Sequence, residues 1–247
     1  MRSGSCTFEL SGKEVHVWAF NIGTSATIGV SFEQILDVYE LDRAARFHFS
    51  RHRESFVLTH VVLRHVLGRY LNLHPSSVRF SYGPRGKPAL APTTNIQFNM
   101  SHSASMAVIA LTTDCQIGVD IEQIRPVTNM EQLAERFFCL EEAAEIISLP
   151  VVRREQAFFS CWTRKEAYIK AIGTGLSTPL NAFRVRVQPD APAHFLHIQN
   201  ETAAAEEWTL HDLQLAPNYA AAVTYQDQQR SLSIFPVIDI AEFLSSP

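Results

Sequence analysis

Cysteine is scarce and scattered in this 247-residue chain. Cys6, Cys115, Cys139 and Cys161 form no C-x-x-C pair and no zinc spacing. That excludes a disulfide scaffold or a zinc finger and suits free thiols in a reducing compartment. No apolar run approaches the roughly 20 residues of a membrane span. The first ten residues, Met1 to Leu10, lack the apolar block of a signal peptide. The expectation is a cytoplasmic protein without a membrane partner. There is no Gly/Ser-rich linker, so any two parts should pack as one body. No Gly-x-Ser-x-Gly elbow is present, which argues against a hydrolase nucleophile. Disorder is excluded by what is there, namely 46% hydrophobic residues and 16 Phe, enough for a substantial core.

The formal charge of −4 argues against nucleic acid as a partner, and its distribution is uneven. Residues 1–100 hold 11 Lys/Arg against 7 Asp/Glu, whereas residues 101–247 hold 10 against 18. A basic half beside an acidic half suits a cleft with phosphates on one side and a metal on the other.

Alternation predicts strands over 14–20, 78–82, 96–99, 106–111 and 117–122 in the first part of the chain. Ser31-Phe-Glu-Gln34 reads as a capping box opening a helix to about Tyr39, with a second helix from near Leu41. Apolar spacing predicts a longer helix over 53–70. The second part predicts helices over 130–137, 140–148 and 153–172, the last ended by Gly173 and Gly175. Strands over 183–187, 194–198, 207–215 and 220–225 follow. Each part reads strand, helices, strands. The expected fold is α+β, with two similar α/β halves, 1–111 and 112–247, each a small antiparallel sheet flanked by helices.

Chemistry gathers in a few short motifs. In Gly118-Val-Asp-Ile-Glu122, alternate strand residues share a face, so Asp120 and Glu122 project together, opposite Val119 and Ile121. In Trp162-Thr-Arg-Lys-Glu-Ala-Tyr-Ile-Lys170, helical spacing stacks Trp162, Glu166 and Lys170 on one stripe. Three carboxylates suit Mg²⁺, which needs few protein ligands when a phosphate completes its shell. A lysine one turn beyond suits that phosphate. Ser101 and His102, just before an apolar strand, offer a hydroxyl and an imidazole to phosphate oxygens. Gly86-Lys-Pro88 adds a bend, a cation and a rigid ring. Arg43, Arg46, Arg51 and Arg53 cluster on one helical stretch and suit phosphate monoesters. A binding module without turnover, and a metal-dependent nuclease or phosphatase, are the competing readings. Loss of a carboxylate or lysine would favour the binding module, and none is missing.

Gly86-Lys-Pro, Asn99-Met-Ser-His-Ser, Gly118-Val-Asp-Ile-Glu, Arg136-Phe-Phe and the run from Trp162 to Leu176 resemble, in this order, the 4′-phosphopantetheinyl transferases. The likeness is to the long, monomeric surfactin-synthetase-activating (Sfp) type and covers about residues 40 to 180. It implies a monomer of two pseudo-symmetric halves. It implies transfer of the phosphopantetheine arm of coenzyme A, the co-substrate, onto a serine of an apo carrier protein, with release of adenosine 3′,5′-bisphosphate. By position, Asp120, Glu122 and Glu166 would hold Mg²⁺ (or Mn²⁺) against the pyrophosphate. Glu166, or a water on the metal, would take the serine proton. Lys170 would neutralise phosphoryl charge, with Lys165 a supporting cation. Ser101, His102 and Lys87 would hold the 3′-phosphate and adenosine end, with Pro88 shaping the adenine pocket. Arg46 and Arg53 are the expected N-terminal phosphate contacts. Phe137 and Phe138 are candidates for receiving the carrier.

Overall fold

The computed structural model describes residues 8–23, 34–188, 191–199 and 202–245. β1 (Glu14–Asn21) opens the first half, followed by helices α1 (Val38–Ala45) and α2 (Ser50–Leu71). A short pair, β2 (Phe80–Tyr82) and β3 (Pro88–Leu90), precedes the long strands β4 (Ile96–Ser103) and β5 (Met106–Thr113). The second half repeats this order. β6 (Ile117–Gln123) leads into α3 (Met130–Phe137), α4 (Leu140–Ser148) and α5 (Val151–Ile172). The pair β7 (Phe183–Val185) and β8 (Phe195–Ile198) follows, then α6 (Thr202–Glu206), β9 (Thr209–Asp212) and β10 (Tyr219–Tyr225). The chain closes with β11 (Ser231–Ile234), β12 (Ile238–Asp239) and α7 (Ile240–Ser245).

The two main sheets have the same topology. In one, β5 lies between β1 and β4; in the other, β10 lies between β6 and β9. Both place the last strand of the half beside its first, and all four of these pairings are antiparallel. The expected pseudo-dimer of α+β halves is therefore present. Four layers result. Val62, Leu63, Val66 and Leu67 of α2 cover one face of the first sheet through Trp18, Phe20, Ile109 and Leu111. Its other face, with Val15, Val17, Val108 and Ala110, packs on Ile117, Val119 and Ile121 of β6 and Ala221 and Val223 of β10. The far face of the second sheet carries α5. Alternation in β6 thus sends Val119 and Ile121 into the core between sheets and leaves Asp120 and Glu122 on the helix side.

Close approach of α5 to β6 depends on Gly118. A Cβ there would stand 2.9 Å from Ala171 Cα and closer still to Ala167 O and Ala171 N. No residue but glycine leaves room for that backbone contact.

Two expectations need correction. The box at Ser31-Phe-Glu-Gln34 falls mostly outside the described residues. The helix begins instead at Asp37, whose carboxylate accepts from Glu40 N while Glu40 accepts from Asp37 N, each at 2.9 Å. Residues 35–37 are not helical, and Val38–Ala45 runs as one helix through the break expected between Tyr39 and Leu41. The boundary at 111 and 112 separates the sheets but not the C-terminal segment. β11 and β12 run parallel to β1, with Val17 opposite Ile234 and Phe20 opposite Ile238. Apolar burial draws this segment back: Phe235 stacks on Trp18 at 3.9 Å, and Ile240 and Phe243 are buried in the first half's core.

Candidate active site

A cavity of about 610 Å³ opens where the halves meet, with walls from both. The first half contributes Arg43, His60, the turn Arg85–Pro88, Ser101 and His102; the second contributes Asp120, Glu122, Trp162, Glu166 and Lys170. The predicted stripe of α5 and the predicted face of β6 therefore converge on one space.

Three alternate residues of β4 join the halves above this cavity. Asn99 Oδ1 accepts from Val119 N at 2.9 Å, Ser101 Oγ donates to Asp120 Oδ1 at 2.8 Å, and Ser103 Oγ donates to Glu122 Oε2 at 2.7 Å. Strand periodicity puts 99, 101 and 103 on one face, so the signal for Asn99 and Ser103 was present in the motif. Lys170 Nζ lies 2.6 Å from Asp120 Oδ1 and 2.7 Å from Ser101 Oγ. This ammonium completes a chain of serine, aspartate and lysine across the interface.

Among the described residues, no three His, Cys, Asp or Glu side chains converge as a ready-made metal cage. Asp120 is turned to Lys170 and Glu122 to Ser103, so the expected ligand set lines one wall without closing around a point. The donor chemistry nevertheless fits a divalent cation. Asp120 is 4% exposed, and its Oδ2 is buried with no hydrogen-bond partner. Burial raises the Glu122 carboxyl above its ordinary range, Ser103 partly offsetting and Asp120 adding to it. Glu166 is raised by burial first and then by the charge of Asp120, against the opposing pull of Lys170. Buried carboxylates whose charges oppose one another are the electrostatic setting a cation relieves.

His102 opens onto the cleft, but surrounding protein first, and then the charges of Lys170, His60 and His52, hold its imidazole below the ordinary range. At neutral pH the ring offers a neutral N–H rather than a cation. His60 is fixed from behind: its Nδ1 lies 2.8 Å from Oε1 of the fully buried Glu40, which also binds Arg64 at 2.7 Å. Phe56 lies against the His60 ring at 4.1 Å, and Arg43 sits 5.3 Å over Phe56.

Three predicted site residues, Lys165, Arg46 and Arg53, stand off the cavity. Lys165 is fully buried in the second half, paired with Glu142 at 2.7 Å and donating to Leu180 O and Phe183 O. At 100° per residue it points well away from the stripe of Glu166 and Lys170. Arg46 follows the end of α1 as its cap and is exposed, so the residue of this cluster on the cavity wall is Arg43, one turn earlier. Arg53, in the first turn of α2, is also exposed and off the cavity. Lys87 lines the cavity, but its Nζ is taken by Ala171 O at 2.7 Å and Ile117 O at 3.2 Å. Of the two phenylalanines, Phe138 is core, while Phe137 lines a neighbouring cavity of about 350 Å³ that shares Trp162 and Glu166. His60 and Arg85, which had no motif of their own, are additional wall residues.

A family model for the 4′-phosphopantetheinyl transferase superfamily matches residues 116–224, and one for the N-terminal part of 4′-phosphopantetheinyl transferases matches residues 29–114. The 4′-phosphopantetheinyl transferase HetI of Nostoc sp. is 37% identical over 217 residues, covering 87% of this chain and 88% of that protein. The 4′-phosphopantetheinyl transferase Sfp of Bacillus subtilis is 31% identical over 159 residues, covering 64% of this chain and 70% of its own length. Among solved structures, the holo-[acyl-carrier-protein] synthase of Thermotoga maritima is 18% identical with a TM-score of 0.37, covering 46% of this chain and 63% of that one.

Proposed function

The chain belongs to the 4′-phosphopantetheinyl transferase superfamily, and from that premise we propose how its cleft works. The enzyme moves the 4′-phosphopantetheine moiety of coenzyme A onto a serine of an apo carrier protein. The serine oxygen forms a bond to the pantetheine-bearing phosphorus as that phosphorus loses its bond to the bridging pyrophosphate oxygen. Adenosine 3′,5′-bisphosphate leaves with the bond's electrons, and the serine proton goes to the protein. Such a transfer needs alignment and charge neutralisation more than covalent catalysis.

The residues divide the work. Glu166, made more basic by burial and by Asp120, takes the serine proton. Lys170 neutralises charge on the phosphoryl oxygens. The neutral His102 donates a hydrogen bond to a phosphate oxygen, as does Ser101 once its hydroxyl turns from Asp120, with Arg43 and Arg85 the nearby wall cations and Pro88 beside the base. Asp120, Glu122 and Glu166 would hold Mg²⁺, or Mn²⁺, which supplies charge neutralisation for the pyrophosphate when bound. The single observation that carries this reading is the convergence of Asp120, Glu166, Lys170 and Ser101 on one cavity between the halves. We also propose a cytoplasmic monomer that uses neither nucleic acid nor membrane; no helix among the described residues is long and apolar enough to cross a bilayer.

The test is incubation with Mg²⁺, coenzyme A and a panel of apo carrier proteins, read by intact mass. Addition of about 340 Da, the mass of the phosphopantetheinyl group, is expected on one or more carriers. No addition to any carrier by a folded enzyme would overturn the reading.

A further inference from the structure

We infer that Lys87 is a positioning residue, a clamp that locks the catalytic edge of the second half to the nucleotide-side turn of the first. The inference rests on the transferase reading above. It differs from the role the sequence resemblance gives this lysine, which is direct contact with the nucleotide end of coenzyme A.

The geometry begins in the turn. Gly83 N donates to Lys87 O at 2.9 Å and Gly86 N to Gly83 O at 2.8 Å, with Gly86 at φ 79°. Pro88 follows, fixing the next φ. The backbone of Lys87 is therefore set before its side chain reaches across the cleft. The stem runs past Gly173, where a Cβ would stand 3.4 Å from Lys87 Cδ. Gly173, at φ 70°, ends α5.

The two carbonyls that receive the ammonium are telling. Ala171 O belongs to the last turn of α5, where helix carbonyls lack intrahelical partners and cations are favoured. It directly follows Lys170. Ile117 O opens β6, directly before Gly118 and three residues before Asp120. One side chain thus ties the backbone beside the phosphoryl lysine to the backbone leading to the metal-side aspartate. Asn99, Ser101 and Ser103 join the halves along β4 and β6, and Ser101 also receives the side chain of Lys170, whereas Lys87 grips the backbone of α5. Burial alone lowers the ammonium to about 8, with no carboxylate contributing, as suits a group satisfied by backbone dipoles.

The experiment compares wild type with Lys87→Met and Lys87→Arg. It measures the dissociation constant for coenzyme A by calorimetry, and kcat and KM in carrier loading at saturating Mg²⁺. A clamp predicts that Lys87→Met loses at least about tenfold in kcat, within the roughly hundredfold that a 1 Å misplacement costs. The coenzyme A dissociation constant should change less than about threefold, since the amine makes no phosphate contact in this role. Lys87→Arg, which keeps donors for both carbonyls, should recover most of kcat. A direct phosphate contact predicts the reverse split, with coenzyme A affinity falling more than about tenfold and kcat spared at saturation. That result, or kcat in Lys87→Met equal to wild type, overturns the clamp. Should Lys87→Met not fold, Lys87→Gln carries the same comparison. Absence of transfer by the wild type would instead fault the functional reading and leave the calorimetric arm intact.

Discussion

Replacing Gly118 with alanine tests whether the contact of α5 with β6 holds the site together. The new methyl would lie 2.9 Å from Ala171 Cα, with Ala167 O and Ala171 N nearer still. Carbon atoms pack at about 3.5–4.0 Å, so helix and strand must part by roughly 1 Å. Both neighbours are backbone, and no side-chain rotation relieves the clash. Overpacking of this kind costs about 1–3 kcal/mol, occasionally more. For a chain of this size, each kcal/mol lowers Tm by about 2–4 °C. The larger effect should be on turnover. Asp120 lies two residues beyond Gly118, while Glu166 and Lys170 flank Ala167 and Ala171 on the opposing helix. A shift of about 1 Å between reacting groups can cost on the order of a hundredfold in rate. The assay is kcat for carrier loading alongside Tm by calorimetry, with Gly12→Ala as control because no atom lies within 4 Å of its added Cβ. A Gly118→Ala enzyme with kcat within about twofold of wild type and an unchanged Tm would refute the reasoning.

Other outcomes follow from the same geometry. Lys165→Met should act on stability rather than chemistry: it strands the buried Glu142 carboxylate, a loss of about 3–5 kcal/mol. Chemical denaturation would show it, and a normal Cm with lost activity would return Lys165 to the mechanism. Glu166→Gln should abolish transfer, while its Tm stays level or rises, because a repelling charge next to Asp120 is removed. Mg²⁺ at about 100 times its dissociation constant should stabilise the wild type by about 2.7 kcal/mol. Asp120→Asn should lose most of that gain, and an equal shift in both proteins would exclude Asp120 as a ligand. His65 is pushed down to about 4 by burial, with Arg69 and His74 adding to it. The unfolded chain therefore binds its proton first as pH falls below about 6.5, and stability drops toward pH 4 by up to about 3 kcal/mol. His65→Phe should flatten that acid limb in a Tm series.

The parts of this molecule legible in advance are those where periodicity and chemistry coincide. Asp120 and Glu122 were readable because a strand alternates, and Glu166 with Lys170 because a helix returns every four residues. Lys165 was misplaced for the converse reason: adjacency in a motif is not adjacency on a helix, and one step rotated it into the core. Arg43 could not be told from Arg46 or Arg53 while the end of α1 at Ala45 was unknown. The box at Asp37 and Glu40 lies only a few residues beyond the one expected, and local composition alone does not choose between them. Lys87 was named from its motif, but its partners were not, because they are carbonyls of another half, which no side-chain pattern announces. β11 and β12 went unread as members of the first sheet, and α7 as part of its core, since parallel pairing across the whole chain leaves no local trace.

That last pairing bears on the order of events at the ribosome. β1 is made before the second half, yet the strands on its outer flank, with the helix carrying Phe243, are made after it. The first sheet must wait, one edge open, while the second is synthesised. Closing it joins sites more than two hundred residues apart, the kind of distant contact that slows folding. A cut between the repeats would not release two self-sufficient pieces. A split enzyme would have to return residues 231–245 to the first fragment, and a circular permutant joining the tail directly to the start of β1 would fold that unit without the wait.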